Sequence, residues 1–315
     1  MAVTVGQQIG ETQYTTLRSG MLTVMGTPTG TGTGAAGYLQ TTTAPSVTPG
    51  DKITAAQWNA LSADVTKAYT HQVGSAPSPA LATVNTDSGI TAAIHNSIET
   101  TVTYITSNRF TMNTAQSTLS TASNKTKTNW NGVQIHDVQF TWASANEVKA
   151  FFNAGGTIKI ASTLAYTGTD AKTLDWKRMV TDAADISINY VSAYKDGGGT
   201  AGTIVNNDGY YDLDTTERQL LQYGGTNPYS ENDYQIWARS ITNGVRIRVF
   251  YRDDDVGDQK AVGTGGTDGK FLPLGAAVDE NVQGTLTSTL YYRRATGSSV
   301  SVAAPSISLG ATNTF

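Results

Sequence analysis

The sequence has no cysteine, only three histidines and few charges, with Asp, Glu, Lys and Arg making up 15% of its 315 residues. Without thiols, neither disulfides nor thiolate metal sites can hold the fold, and the redox compartment stays open. A net charge of −4 with no basic stripe argues against a nucleic-acid binder, which needs cations to neutralise phosphates. No apolar run approaches the roughly 18 residues of a membrane span. Met1–Gly6 has neither the basic nor the apolar region of a secretion signal, so a soluble chain outside the classical secretory route is expected. The polar positions are filled by Gly, Ser, Thr and Asn, giving a surface of hydroxyls and amides rather than ions. The length suits two domains, or one core with an appendage.

The chain contains one stretch three times, at Ile9–Leu17, Ile53–Leu61 and Ile90–Ile98. In the middle copy Thr54 stands at an N-cap and Gln57 three residues on, which is a capping box. Ile53 and Trp58 bracket it at the spacing of a hydrophobic staple. The first copy keeps Ile9, Gln13 and Tyr14 with Gly10 at the cap. The third keeps Ile90 and Thr91 but has Ile94 in place of glutamine, so its box is broken. Beyond each start the apolar residues recur at helical spacing: Tyr14, Leu17, Met21 and Val24; Trp58, Leu61, Val65 and Ala68; Ile94, Ile98, Val102 and Ile105. Three short helices of one design are expected. Tyr14, Leu17, Trp58, Leu61, Val65, Ile94 and Ile98 are the candidates for contacts within and between subunits.

Between the first two helices lies Gly26–Gly37, a Gly/Thr loop expected to be mobile unless a partner holds it. Its Gly32, Gly34 and Gly37 fit a dinucleotide fingerprint, but no βαβ unit follows to give the match meaning. From Thr111 to Asn131 the chain is rich in Thr, Ser, Asn and Lys, and reads as a linker or a poorly buried extended segment. A boundary near Thr126 divides a helical module, 1–126, from a β-rich domain, 127–315. The second domain opens with two alternating runs whose parity shifts at His136-Asp137, which predicts a bulge or a change of buried face. Ser144 and Glu147 box a short helix through Asn153, stopped by Gly155 at positive φ. Asp170 caps a further helix, and Asn243-Gly244 has the composition of a type I′ hairpin turn. Strands around Ile158, Ile186, Leu286 and Val300 complete the reading. The expected fold class is α+β: three short helices followed by a mainly antiparallel, sandwich-like domain with one or two packed helices.

Chemistry is thinly signalled. His95 takes the staple position of Tyr14 and Trp58 and reads as packing. His71 ends the second helix, where a protonated imidazole would suit the dipole. His136 has no companion in sequence. Asp253, Asp255 and Asp258 are candidate calcium ligands, set against a solvated loop facing Arg246, Arg248 and Arg252. Asn206–Gly209 with Asp212 and Asp214 is a second candidate, set against an Asx turn. Gly263–Lys270 lacks the glycine and hydroxyl of a phosphate loop. Tyr210 and Tyr211 lead a tyrosine-rich stretch suited to stacking on sugars or anchoring an interface. No nucleophile, supported acid–base pair or cofactor cradle stands out, so the chain reads as a non-enzyme without cofactors.

Three blocks, Pro49–Leu61 with Tyr69–Gln72, Ala150–Ile158 and Asp279–Ser288, resemble virion structural proteins of tailed bacteriophages, particularly those of cyanobacterial and other marine hosts. The Phe151-Phe152-Asn153-Ala154-Gly155-Gly156 run is the most specific. The resemblance implies a tail, baseplate or neck component assembled in the host cytoplasm and resident in the virion. It would be oligomeric, with a trimer expected, and partnered by other virion proteins and copies of itself. It carries no catalytic residues over. No heptad stalk or collagen-like repeat is present, which favours a compact adaptor or short fibre. Two alternatives remain open: a host-glycan binding module using Tyr210 and Tyr211, and a polysaccharide-cleaving tailspike, which would need a carboxylate pair at fixed spacing.

Overall fold

The computed structural model describes residues 3–5, 9–86, 88–197, 199, 201–254 and 281–315. The chain divides into two compact units. One comprises Met1–Leu119, Trp142–Thr157 and Arg293–Pro305; the other comprises Ser120–Thr141, Ile158–Tyr292 and Ser306–Phe315. The boundary expected near Thr126 thus lies a few residues beyond the first break, and two later segments return to the helical unit.

In the helical unit, α1 (Glu11–Met25), α2 (Ala55–Val73) and α3 (Ala92–Ser107) begin at the three repeated starts. Gln57 Oε1 accepts from the Thr54 amide at 2.8 Å while Thr54 Oγ1 accepts from the Gln57 amide at 3.2 Å, so the box on α2 closes in both directions. At α1 only the return half exists, Gln13 Oε1 accepting from the Gly10 amide. At α3 only the forward half exists, Thr91 Oγ1 accepting from the Ile94 amide. Ile9, Ile53 and Ile90 line one cavity, so the three helices start at the same end of the unit. Their far ends meet around Tyr38. Its amide donates to Val24 O, its hydroxyl donates to Arg109 O and accepts from Gln72, and its ring lies edge-on to His71. The three helices therefore run parallel, and each linker must return the full length of the unit.

The Gly/Thr loop is one of these returns, and its own chain holds it. Thr29 and Ala36 form a β-bridge. Arg109 donates to the carbonyls of Thr33, Ala35 and Thr106, and Asn153 Nδ2 donates to those of Ala36 and Gly37. The loop expected to be mobile unless a partner holds it is held within this unit, where a guanidinium and an amide distant in sequence supply donors to its carbonyls. Helix α4 (Ala145–Asn153) belongs to this unit. Ser144 Oγ accepts from the Glu147 amide, whereas the Glu147 carboxylate reaches Ala143 N, one residue short of the cap. Phe151 and Phe152 are fully buried, edge-on to each other at 4.9 Å, and Gly155 ends the helix at φ 81°.

The second unit is built on two antiparallel sheets. In chain order the strands are β1 (Ser117–Trp130), β2 (Gly132–Thr141), β3 (Thr157–Ala165), β4 (Asp185–Ile188), β5 (Ala193–Asp196), β6 (Thr203–Ile204), β7 (Arg218–Gly224), β8 (Asp233–Ile241), β9 (Gly244–Asp253), β10 (Val282–Ala295) and β11 (Ser306–Leu309). One sheet has the order β1-β10-β3-β4-β5 and the other β11-β2-β9-β8-β7-β6. Helix α5 (Ala171–Asp182) is capped by Asp170 and buries Trp176, Met179 and Val180. Phe140, Tyr234, Ile236, Tyr251, Ile160, Ile186 and Leu290 are among the core side chains. Each such large apolar group contributes roughly 1.5–3 kcal/mol of burial. The expected α+β class, helices first and antiparallel sheets after, is the observed one.

Three local expectations are resolved. Of the two readings of the Thr/Ser/Asn/Lys stretch, the poorly buried extended segment is the observed one: it forms strand β1, 14 residues long and largely exposed or half-buried, which suits threonine's β-branching. No bulge occurs at His136-Asp137, because β2 pairs with β9 in one unbroken register from Gly132↔Asp253 to Thr141↔Gly244. Gln134, His136, Val138 and Phe140 face the core, and Asp137 is buried on the opposite face. The hairpin turns at Thr242-Asn243, since Ile241 pairs with Gly244 and Asn243 alone of the two has positive φ, 52°. Gly244 serves close packing instead: a Cβ there would lie 2.0 Å from the Phe140 carbonyl oxygen of β2.

Candidate functional site

The three histidines decide what acid–base chemistry is available, and all three are buried. His71, on the last turn of α2, donates through Nε2 to Ala154 O at 3.1 Å, and burial pushes its pKa down to about 4. The expected protonated imidazole at the helix end is therefore replaced by a neutral, desolvated one. His95 packs against Trp58 at 6.2 Å, as its staple position predicted. His136 lies between the sheets, its Nδ1 2.9 Å from Ser288 Oγ and its Nε2 2.8 Å from Ser123 Oγ. Burial first, and Lys125 second, lower its pKa to about 4.

That imidazole is one node of a hydroxyl chain through the β unit. Ser162 Oγ hydrogen-bonds Tyr251 at 2.6 Å and Tyr234 at 2.9 Å, and Tyr251 in turn bonds Ser288. Burial pushes both phenols well above their ordinary value, so they stay protonated and the chain stays neutral. Ser123, Ser162 and Ser288 carry no signal in sequence, because Ser123 is one of three serines on β1 and the other two are lone serines on their strands. Only the inward parity of alternate strand positions could have selected them.

The carboxylates are likewise committed. Asp253 is buried and faces Lys172 Nζ at 2.9 Å, while Arg246 faces Asp137 and Arg248 faces Glu217. Among the described residues Arg252 faces the acidic run, at Asp254. The picture of Asp253 on a solvated loop is thus overturned for this residue, because β9 carries it inward. Asp255, Asp258 and Gly263–Lys270 lie outside the described residues. Asp212 accepts from the Gly209 amide, and Asp214 accepts from Thr216 N and Arg218, which are turn and ion-pair roles. Among the described residues no group of three or more His, Cys, Asp or Glu side chains is arranged to hold a metal ion.

Asp137, which sequence reading passed over, is a further polar node. Its buried carboxylate accepts from Arg246 Nε at 2.8 Å and Nη2 at 2.5 Å, and from both the amide and the hydroxyl of Thr312. Burial opposes ionisation there, but Arg246 and Thr312 outweigh it and hold the carboxyl below its ordinary value.

The seven residues expected at an interface are placed differently. Tyr14, Trp58, Leu61, Val65 and Ile98 have no accessible surface and Leu17 has 3%, so they form the helical unit's own core and none is left for a second copy. Ile94 is half-buried. The stripes look like interfaces in sequence because three short helices must bury them somewhere, and here they bury them against one another. Tyr210 and Tyr211 sit edge-to-face at 4.9 Å on a short 3₁₀ turn, both half-buried. Burial raises the Tyr210 phenol to about 12.

Two cavities lie among the described residues. One, of about 660 Å³, is formed by the three helix starts with Asp51, Lys52 and the stretch around Val84. The other, of about 460 Å³, has Ser162, Asp182, Asp185 and Asp196 on its wall. Lys159 bridges Asp185 at 2.8 Å and Asp196 at 3.5 Å beside it. No described helix is long and apolar enough to cross a membrane. No protein-family model, curated protein or solved structure matches the chain.

Proposed function

We propose that the chain is a non-enzymatic structural component of a tailed-phage particle, a compact adaptor or short-fibre subunit that assembles with other virion proteins and with copies of itself. The observation that supports this reading best is the commitment of the acid–base groups. His71, His95 and His136 are each packed into a core, two of them neutral down to about pH 4, and Asp253 is spent on Lys172. A general base must reach its substrate's proton and titrate near working pH. All four are buried away from a substrate, and His71 and His136 titrate well below working pH. The resemblance of the Phe151–Gly156 run and the two other blocks to phage virion proteins supplies the biological setting.

The self-contained helical unit shapes the reading. With the apolar stripes already buried, contacts to neighbouring copies fall to the hydroxyl- and amide-rich outer faces, which make polar, wet interfaces rather than a fused core. Mass spectrometry of purified particles, with cross-linking of intact virions, tests the proposal. Cross-links from this chain to particle proteins are expected. A chain that stays monomeric and never co-purifies with virions would end it.

A further inference from the structure

Strand β11 pairs with β2 through only four residues, Ser306↔Thr141 to Leu309↔Val138. Beyond it the chain stays on the β2 edge in an irregular way. Gly310 N donates to Asp137 O, Thr314 N donates to Ile135 O, and Ile135 N donates to Thr314 Oγ1 at 2.7 Å. Thr312 grips the Asp137 carboxylate through its amide at 3.2 Å and its hydroxyl at 2.5 Å. The Phe315 ring then lies 5.6 Å from His136 and 5.7 Å from Tyr251. β11 itself is exposed or half-buried throughout, so the segment's attachment rests on one carboxylate, one ring and a few edge hydrogen bonds. Few buried apolar contacts and an exposed edge mark the low end of local stability.

We propose that Gly310–Phe315 is an acid-released strap, clasped by ionised Asp137 and detached from the β2 edge on acidification before the two sheets come apart. Consecutive residues of β2 hold its two ends, Asp137 on one face under Thr312 and His136 on the other under Phe315. Among the described residues the charged groups around them are two arginines, one lysine and Glu217, which pairs with Arg248. Arg246 and Arg248 on β9 face Asp137, Lys125 on β1 faces His136, and the side chains of the strap bring no charge. β10 presents the neutral Ser288.

Protonation of Asp137 removes the acceptor shared by Thr312 and Arg246, and protonation of His136 places a second cation, buried, beside Lys125 in the space that Phe315 helps to close. Both pKa values lie below the ordinary ones in the closed state. Closure therefore binds fewer protons than opening, is favoured at neutral pH, and is lost as pH falls. The two titrations act in the same direction on one short segment.

The test is 4-fluorophenylalanine placed at position 315, with the ¹⁹F signal followed from pH 7 to pH 3 alongside tryptophan fluorescence of the same sample. The ¹⁹F signal is expected to narrow and reach its solvent-exposed position at a higher pH than the tryptophan transition. Thr312→Val, which keeps the Asp137–Arg246 pair, is expected to raise the open population roughly tenfold and move opening to higher pH, as loss of one hydrogen bond to a charged group implies. Asp137→Asn is expected to open the strap at pH 7. Coincident ¹⁹F and tryptophan transitions in the wild type, or a Thr312→Val profile identical to wild type, would overturn the proposal. Should Asp137→Asn fail to fold, the Thr312→Val comparison still decides.

Discussion

Trp58 carries two duties at once: it closes the staple at the start of α2 and fills the space between the three parallel helices. Its ring is fully buried, within 6.4 Å of Tyr14 and 6.2 Å of His95, the residues at the same position of the other two starts. Truncation to alanine empties that shared centre, and Trp58→Ala is expected to cost about 3–5 kcal/mol in urea unfolding of the chain. Were Trp58 instead an interface residue, the same change would leave the isolated chain's stability almost untouched and weaken only assembly. The cap next to it is worth less. Thr54→Ala removes the acceptor for the Gln57 amide and is expected to lower stability by about 1 kcal/mol in the same experiment.

At the scale of elements, the helix starts were legible because a capping box and a staple are local. Thr54, Gln57 and Trp58 meet within one turn whatever the rest of the chain does. Ser144 and Asp170 were legible for the same reason. What escaped was set by distant partners. The Gly/Thr loop looked loose because nothing near it in sequence reveals Arg109 or Asn153. Asp253 looked solvated because Lys172 lies 81 positions away. β1 could be read as a linker or as a poorly buried extended segment because, before the buried Trp130, its inward residues are Ser123, Lys125 and Lys127 rather than apolar ones.

Those lysines bear on how the longest free edge of the fold is managed. β1 ends its sheet, so one side of a 14-residue strand has no partner strand among the described residues. A long edge of this kind invites pairing with another chain, and charged side chains pointing inward discourage it, since an incoming strand would bury them. Lys125→Thr with Lys127→Thr is expected to convert the chain from a monodisperse species into self-associating material, read by sedimentation velocity at neutral pH. An unchanged sedimentation profile would show that the edge is protected in some other way. Arg109→Ala tests the loop in parallel: amide exchange across 29–37 should quicken, while that of β8 and β9 stays as it is.

The molecule as a whole responds to acid through the two histidines its cores keep neutral. His71 in the helical unit and His136 in the β unit each have a pKa near 4, against an ordinary 6.5, with burial the leading cause at both. Between those two values the unfolded chain binds a proton at each site that the folded chain refuses, so unfolding is favoured as pH falls. The stability they confer is fully present above about pH 6.5 and is lost progressively down to pH 4. Each site contributes a slope of about 1.4 kcal/mol per pH unit in that window, on the order of 3 kcal/mol across it. Because the two sites sit in different units, His71→Gln should flatten the acid response of the helical unit's amide exchange and leave that of the β unit unchanged. A loss of the pH dependence in both units from this single substitution would mean that they unfold as one cooperative body. That outcome would replace two independent titrations with one shared transition.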